Sequence, residues 1–209
     1  MFKDREDAAR RLAKRLAHLR GQRPLILAVP RGAVPMGVIL ATELEGDLDL
    51  VLVRKLGAPG NPEFAVGAVD EAGHVYVNPQ IADQLDPVYL TEEVARQRVL
   101  LAKRRARYGA PHIDPAGRLV VVVDDGVATG STLIAALDAV RARQPARLVV
   151  AIGVAPPDAV QRLRGHADEV VTELVPDDFY AVGQFYEAFG QVDDAEVAAL
   201  LSAWHGDRR

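Results

Sequence analysis

The stretch of sequence that decides the fold is Val120-Val121-Val122-Val123-Asp124-Asp125-Gly126-Val127-Ala128-Thr129-Gly130-Ser131-Thr132. Its four consecutive valines predict a strand that is buried on both faces, as the strands of a parallel sheet are. Helical spacing follows over residues 131–143, which predicts a helix after a short turn. The acidic pair therefore emerges at the carboxyl end of a buried strand, where open α/β sheets bind their ligands.

The turn between this strand and this helix combines two kinds of polar group. The first amides of a helix have no intrahelical partner and attract an anion, so the segment from Ala128 to Thr132 is a candidate phosphate site. Asp124 and Asp125 add carboxylate oxygens that can accept hydrogen bonds from neighbouring hydroxyls. A sugar phosphate carries both features at a matching separation, and it is the ligand class that the turn favours.

Other kinds of site also place an acidic pair after a strand. The metal site of a receiver-like domain and a simple solvated turn are the alternatives, and the turn alone leaves both open. Two familiar phosphate motifs are excluded. No lysine follows Gly130, which excludes a Walker-type loop, and the spacing of Gly126 and Gly130 does not match the dinucleotide fingerprint.

Outside this stretch, strand-length apolar runs alternate with helical periodicity. This alternation predicts an α/β fold with a parallel sheet flanked by helices. The segment from Gly57 to Glu63 contains glycine and proline and is predicted to form a loop. The predicted strands are 25–29, 48–53, 64–69, 74–77, 120–123, 148–154 and 169–174. The predicted helices are 3–20, 34–44, 91–107, 131–143 and 158–164, the third of them capped by Thr91.

Length and composition indicate one soluble globular domain over residues 1–209, with a core at about 24–175. We expect a small cap (hood) region from the N-terminal helix, from residues 176–205, or from both. The net charge of −4 argues against a nucleic-acid partner, and no apolar run is long enough to span a membrane. The chain has no cysteine, which excludes thiolate catalysis and disulfides, and a cytoplasmic location is expected.

Taken together, the strand, the two acids and the following Ala-Thr-Gly-Ser-Thr resemble the signature of the type I phosphoribosyltransferases. In that family the acids approach the ribose 2- and 3-hydroxyls of 5-phosphoribosyl-1-diphosphate (PRPP), and the turn cradles its 5-phosphate. The resemblance assigns the ribose to Asp124 and Asp125. It assigns the phosphate site to Ala128, Thr129, Gly130, Ser131 and Thr132, and it adds Gly126 and Val127 to the substrate-binding residues.

A second segment, Ala28-Val29-Pro30-Arg31-Gly32, is similar to the diphosphate loop of these enzymes. A glycine there lets the backbone approach an anion closely, while a guanidinium supplies positive charge. The resemblance assigns Arg31 and Gly32 to the substrate and implies a cis peptide bond between Pro30 and Arg31. Taken alone, Arg31 would be interpreted as a surface arginine.

A third segment, Val51-Leu52-Val53-Arg54-Lys55-Leu56-Gly57, is similar to the Arg-Lys strand end of adenine and orotate phosphoribosyltransferases. The resemblance implies a mobile lid that excludes water, with Arg54, Lys55 and Asp125 as catalytic residues. No general base is assigned by the resemblance, and Glu63 is a candidate only because it lies in the expected lid. It also implies Mg²⁺ held mainly by the substrate, with Asp124 and Asp125 as candidate ligands, directly or through water. The alternative for Arg54 and Lys55 is that they are solvent-exposed charged residues with no role in binding or catalysis.

The resemblance also limits the acceptor. Ala128 stands where oxopurine enzymes carry an aspartate, which argues against hypoxanthine and guanine, and the lid lacks the further lysine of adenine enzymes. Gly126 replaces a branched apolar residue and is expected to loosen the turn. Aromatic residues of the tail are candidates to stack on a planar base, although such clusters more often pack. These aromatic residues are Phe179, Tyr180, Phe185 and Tyr186.

Two functions from different classes follow. The first is an enzyme that transfers phosphoribose to a nitrogen nucleophile and releases diphosphate, with a homodimer as one expected assembly. The second is a regulatory protein that senses PRPP without turnover. The pair Arg54-Lys55 favours the enzyme, because a sensor has no need to expel diphosphate. The absence of a recognisable DNA-binding segment also counts against a repressor.

Overall fold

The structure is a computed structural model, which describes residues 1–78, 81–109 and 112–206. Its strands, numbered in chain order, are β1 (Leu25–Ala28), β2 (Asp47–Leu50), β3 (Val53–Ala58), β4 (Asn61–Asp70), β5 (Val75–Val77), β6 (Leu119–Gly126), β7 (Arg147–Val154) and β8 (Glu169–Leu174). A parallel sheet has the order β2-β1-β6-β7-β8, and β3, β4 and β5 form a separate antiparallel sheet. The predicted α/β class is confirmed.

Helices cover both faces of the parallel sheet. They are α1 (Arg5–Arg15), α2 (Val34–Glu43), α3 (Pro87–Tyr108), α4 (Ser131–Ala142), α5 (Pro157–Leu163) and α6 (Asp194–Gly206). Val121 and Val123 of β6 belong to one buried cluster with residues of α1, α2 and α6. Val120 and Val122 belong to a second cluster with residues of α4 and α5. The unbroken valine run is therefore explained, because each face of β6 is covered by helices.

Two predicted helices have different bounds in the structure. The helix predicted over 3–20 ends at Arg15 and is followed by a 3₁₀ turn over Ala17–Leu19. The cap predicted at Thr91 is wrong, because α3 begins four residues earlier. The carboxylate of Asp86 accepts a hydrogen bond from the Val88 amide, and Pro87 occupies the first helical position, where its missing N–H costs nothing.

The prediction of a loop over Gly57–Glu63 is wrong. Residues 57 and 58 continue β3, and β4 starts at Asn61, so the segment is a hairpin with a short turn at Pro59 and Gly60. Gly60 has a φ of 74°, which a glycine adopts without strain. The glycine of β3 is tolerated because the pairing shifts register at Leu56/Gly57 and Gly57/Ala58, as at a bulge.

The strand predicted over 48–53 is also divided. β2 ends at Leu50 in the parallel sheet, and β3 begins at Val53 in the antiparallel sheet. The strands predicted at 64–69 and 74–77 are confirmed as β4 and β5, with β4 starting three residues earlier. In the described ranges no helix has the length and apolar character that crossing a membrane requires.

The beginning of the chain lies beside its tail. The Phe2 amide donates to the Phe185 carbonyl at 2.8 Å, and the Glu187 amide donates to the Phe2 carbonyl at 2.9 Å. Phe2 is fully buried against the ring of Tyr186, with 4.9 Å between ring centroids. We call residues 2–5 and 182–192 the hood, because they form one layer above the carboxyl edge of the parallel sheet.

An arginine of α3 joins the two sheets. Arg105 donates to the carboxylates of Asp49 and Glu71 and to the Leu50 carbonyl. Asp49 is 1% exposed and also accepts from the Ile113 amide at 2.9 Å. Burial of this carboxylate is tolerated because its oxygens are satisfied by charged and neutral donors.

We expect Asp49→Ala to lower the free energy of unfolding by about 3 kcal/mol, because removal of one partner leaves the Arg105 guanidinium partly uncompensated in a buried place. Urea unfolding monitored by circular dichroism measures the change. Glu6→Ala is the matched control, since its pair with Arg10 has both side chains 60% exposed and should contribute less than about 1 kcal/mol. Equal losses of stability for the two variants would contradict this account of the buried ion pair between Arg105 and Asp49.

Candidate functional site

The two predicted sugar-binding acids lie at the end of β6, next to the loop that follows β1. Val123 of β6 lies opposite Ala28 of β1, so both chains leave the sheet at the same edge. A Cβ atom added to Gly32 would lie 2.1 Å from Asp125 Oδ2. Glycine is therefore required where the Arg31-Gly32 loop meets the acidic pair. The peptide bond between Pro30 and Arg31 is cis, which confirms that expectation.

Asp125 is held both at its carboxylate and at its main chain. Arg5 Nε donates to Asp125 Oδ2 at 2.7 Å, and the Tyr186 hydroxyl donates to the Asp125 carbonyl oxygen at 2.6 Å. Arg5 Nη1 also donates to the Gly190 carbonyl at 2.6 Å, and the guanidinium lies 4.0 Å from the centroid of the Phe189 ring. The hood therefore contacts the acidic pair directly.

Burial governs the protonation of this pair. Burial raises the pKa of Asp124 well above its usual range, and the neighbouring Asp125 carboxylate raises it further. Burial also raises the pKa of Asp125, while the Arg5 guanidinium opposes that rise. Burial raises the pKa of Tyr186 above its usual range, so its hydroxyl stays a donor. Two adjacent carboxylates in one buried place resist simultaneous ionisation, and Arg5 favours the charge on Asp125.

The predicted phosphate turn has the geometry of an anion site. α4 begins at Ser131 after Gly130, whose φ of 75° turns the chain into the helix. The hydroxyls of Thr129 and Ser131 lie 3.1 Å apart, and both residues are exposed. The first turn of α4 thus begins beside two exposed hydroxyls, and the free amides of such a turn can accept an anion.

Gly126 was expected to loosen the turn because it lacks the side chain of a branched residue, but the structure leaves no empty space at this position. A Cβ atom there would lie 2.5 Å from Val182 Cγ1 of the hood and 2.9 Å from Val154 Cγ1 of β7. The hood side chain occupies the place of a branched residue. In addition, the Val127 amide donates to the Val154 carbonyl at 3.0 Å, which fixes the turn to β7.

Arg162 of α5 also contacts the turn. Its Nη2 donates to the Thr129 carbonyl at 3.0 Å, and its Nη1 pairs with Asp158 at 3.0 Å. The sequence patterns gave no sign of Arg162, since it lies 33 residues from Thr129 and in a different helix. They gave no sign of Arg5 for the same reason, because 120 residues separate it from Asp125.

The structure separates the two cations of the third segment. Successive side chains of a strand point to opposite faces. Arg54 Nε donates to Gln97 Oε1 of α3 at 2.5 Å, so Arg54 faces away from the turn. Lys55 lines a cavity of about 880 Å³ together with Ser131 and Arg162. The structure therefore places Lys55 in the same cavity as Ser131 of the phosphate turn, while Arg54 is engaged by α3.

Arg31 lines a different cavity, of about 440 Å³, beneath the hood. Its other lining residues are Arg5, Gly32, Asp125, Phe189, Gly190, Gln191 and Val192. The Arg31 guanidinium is 3.9 Å from Asp194 of α6 and its side chain is 42% exposed. Positive charge is thus present at both ends of the site, with Arg31 at one end and Lys55 at the other.

The aromatic residues of the tail differ in their surroundings. Phe179 and Phe185 stack on each other at 5.5 Å and pack against the main core, and Tyr186 is 5% exposed. Tyr180 is 88% exposed. Packing therefore accounts for Phe179, Phe185 and Tyr186. The side chain of Glu63, the candidate general base, lies outside the described residues.

The acidic pair suits Mg²⁺ that arrives with a phosphorylated ligand. The part of the chain that the structure describes contains no group of three or more His, Cys, Asp or Glu side chains able to hold a metal. Mg²⁺ is commonly bound by one or two carboxylates together with phosphate oxygens and water, and Asp124 and Asp125 could supply such carboxylates.

Comparisons with known proteins agree with this geometry. Residues 2–189 match the family model described as "Phosphoribosyl transferase domain". Proteins from two strains of Mycobacterium tuberculosis, each named "Putative phosphoribosyl transferase", are 42% identical over 212 residues, covering 99% of this chain and 48% of each relative. The chain thus spans about half the length of these curated relatives. The solved structure of TT1426 from Thermus thermophilus is 50% identical with a TM-score of 0.90, covering 97% of this chain and 98% of that one.

We expect Asp124→Asn to stabilise the free protein by about 1 kcal/mol near pH 8. Because folding raises the pKa of Asp124, stability falls as the pH rises from the ordinary aspartate pKa to the folded-state pKa, and the full loss is present above the latter. The gain should therefore shrink as the pH falls toward the ordinary aspartate pKa of 3.8. Urea unfolding of both proteins across this pH range measures it. Asp83→Asn, at an exposed position, is the control, and an unchanged or lowered stability of Asp124→Asn near pH 8 would contradict the prediction.

Proposed function

Because the chain belongs to the phosphoribosyl transferase family, we propose that it binds PRPP with Mg²⁺ and transfers the phosphoribosyl group to a nitrogen nucleophile, with release of diphosphate. The observation that carries the proposal is the contact of Gly32 with Asp125. It joins the candidate diphosphate loop to the acidic pair, and β6 continues from that pair directly into the phosphate turn. Two segments remote in sequence thus meet, and together they would line one continuous surface.

The proposed ligand matches the order of charges along this surface. The 5-phosphate would lie at the first amides of α4, near the hydroxyls of Thr129 and Ser131. The ribose hydroxyls would donate to the carboxylates of Asp124 and Asp125. The diphosphate would lie at the Arg31-Gly32 loop, where backbone and guanidinium together suit an anion. Lys55 and Arg162 would add charge at the phosphate end.

The proposed reaction is a substitution at C1 of the ribose. The lone pair of the nitrogen forms the new bond to C1, while the bond from C1 to the diphosphate oxygen breaks and its electron pair leaves with diphosphate. Carboxylates beside the ribose favour the positive charge that the sugar acquires, and the Arg31 guanidinium favours the negative charge that the leaving group acquires. Bound Mg²⁺ would neutralise part of the charge on the phosphate oxygens.

Removal of one sugar-binding carboxylate should weaken PRPP binding. We expect Asp125→Asn to raise the Kd for PRPP at least about tenfold, because a hydrogen bond to a charged acceptor becomes one to a neutral acceptor. Calorimetric titration with PRPP and Mg²⁺ measures the affinity, with Asp83→Asn as control. The same mixture with a panel of nitrogen heterocycles is assayed for released diphosphate. Binding without release for every heterocycle would favour the sensor instead of the enzyme, and absence of PRPP binding would refute both.

Substitutions at the two ends of the site should separate binding from turnover. The 5-phosphate carries the same charge in substrate and transition state, so we expect Lys55→Ala to raise KM for PRPP about tenfold with little change in kcat. The diphosphate gains charge as it leaves, so Arg31→Ala should lower kcat about 100-fold.

Steady-state kinetics with the acceptor found in the panel measure both effects. Lys103→Ala, at an exposed position of α3, is the control for loss of a lysine. A fall in kcat for Lys55→Ala with KM unchanged would place Lys55 over the leaving group, as the resemblance of the third segment implies. That result would contradict the assignment of Lys55 to the phosphate end.

A further inference from the structure

Arg5 makes the longest connection in the candidate site. It is the first residue of α1, yet its guanidinium contacts Asp125 of β6 and the Phe189-Gly190 segment of the hood. The ion pair with Asp125 has both side chains only 13% exposed. A pair so shielded is screened less by water and salt than a surface pair, and its geometry is correspondingly well defined.

We propose that Arg5 is a positioning residue, which fixes the Asp125 carboxylate for the ribose hydroxyls and couples the hood to the sugar site. This inference rests on the proposed binding of PRPP. Arg5 would act through Asp125 and would not itself take part in the substitution at C1.

The contacts fix the orientation of the Asp125 carboxylate. Arg5 Nε engages Oδ2 of Asp125, the Gly126 amide and the Asp124 side chain also hydrogen-bond this carboxylate, and the Asp125 main chain is held separately by the Tyr186 hydroxyl. The plane of the carboxylate that the ribose hydroxyls would meet is therefore constrained by Arg5. The Cβ atom missing from Gly32 leaves room for Oδ2 in this orientation.

The guanidinium is itself fixed by the hood. Nη1 donates to the Gly190 carbonyl at 2.6 Å, and the Phe189 ring lies against the guanidinium with 4.0 Å to its centroid. A planar group with several donors can make these contacts at once, whereas a lysine ammonium is a compact charge on a flexible chain. The position of the Asp125 carboxylate therefore depends on residues at both ends of the chain.

The test compares Arg5→Gln and Arg5→Lys with Arg10→Gln, which removes an exposed arginine from the same helix. We expect Arg5→Gln to raise the Kd and KM for PRPP about tenfold with less than about a threefold change in kcat. Arg5→Lys should recover part of the affinity, because it keeps the charge but not the planar contacts. Arg10→Gln should behave as the unsubstituted protein.

A double-mutant cycle decides whether Arg5 acts through Asp125. In an Asp125→Asn background, Arg5→Gln should cause little further loss of PRPP affinity, since the carboxylate that it positions is already gone. Additive losses in the two variants would overturn the inference, as would an unchanged affinity of Arg5→Gln.

The same double-mutant cycle can be measured on the free energy of unfolding without ligand. There it reports only how much the contact between Arg5 and Asp125 contributes to stability. Coupling in stability without coupling in PRPP affinity would reduce Arg5 to a structural residue and overturn the inference, while the proposed function would stand. If the unsubstituted protein failed to bind PRPP, the proposed function itself would fail, and with it the role of Arg5. Arg5→Lys serves where Arg5→Gln does not fold.

Discussion

Two adjacent carboxylates at the end of β6 are the constraint to which the surrounding structure responds. Burial raises the pKa values of both acids, and the Asp125 carboxylate raises that of Asp124 further, so neither charge is stable there without compensation. The structure supplies a guanidinium from α1 at 2.7 Å from the Asp125 carboxylate, and a hydroxyl from the tail donates to the Asp125 carbonyl oxygen at 2.6 Å. The beginning and the tail of the chain meet above β6 because both take part in holding Asp125.

Close backbone packing around Asp125 depends on glycines in neighbouring segments. A Cβ atom on Gly153 of β7 would lie 2.4 Å from both the Asp125 carbonyl oxygen and the Tyr186 hydroxyl. Gly32 and Gly126 are similarly crowded, by Asp125 and by Val182. A side chain at any of these positions would push the hood or the Arg31-Gly32 loop away from β6. Gly126, which stands where the family carries a branched residue, is therefore explained by contact with the hood, which no local pattern could reveal.

Sequence patterns predicted those features that depend on neighbouring residues. Valines 120–123 identified β6, and the residues after them identified the turn, because burial and helix initiation act over a few positions. The hairpin was missed since glycine and proline at 57–60 are equally typical of a loop, and only pairing between Ala58 and Asn61 distinguishes the two. Arg5 and Arg162 were missed because their partners are brought to them by the fold alone.

The hairpin also changes how the positive charges of the site are understood. In a loop, Arg54 and Lys55 could both turn toward one ligand, but in a strand their side chains alternate, and Gln97 engages Arg54. The remaining cations are then distributed along the proposed ligand site: Arg31 at the candidate diphosphate loop, Arg5 at the acidic pair, and Lys55 with Arg162 beside the candidate phosphate turn. Binding alone would be served by any of them. Catalysis requires a cation where charge develops, so the case for transfer over sensing depends on Arg31 more than on the Arg-Lys pair.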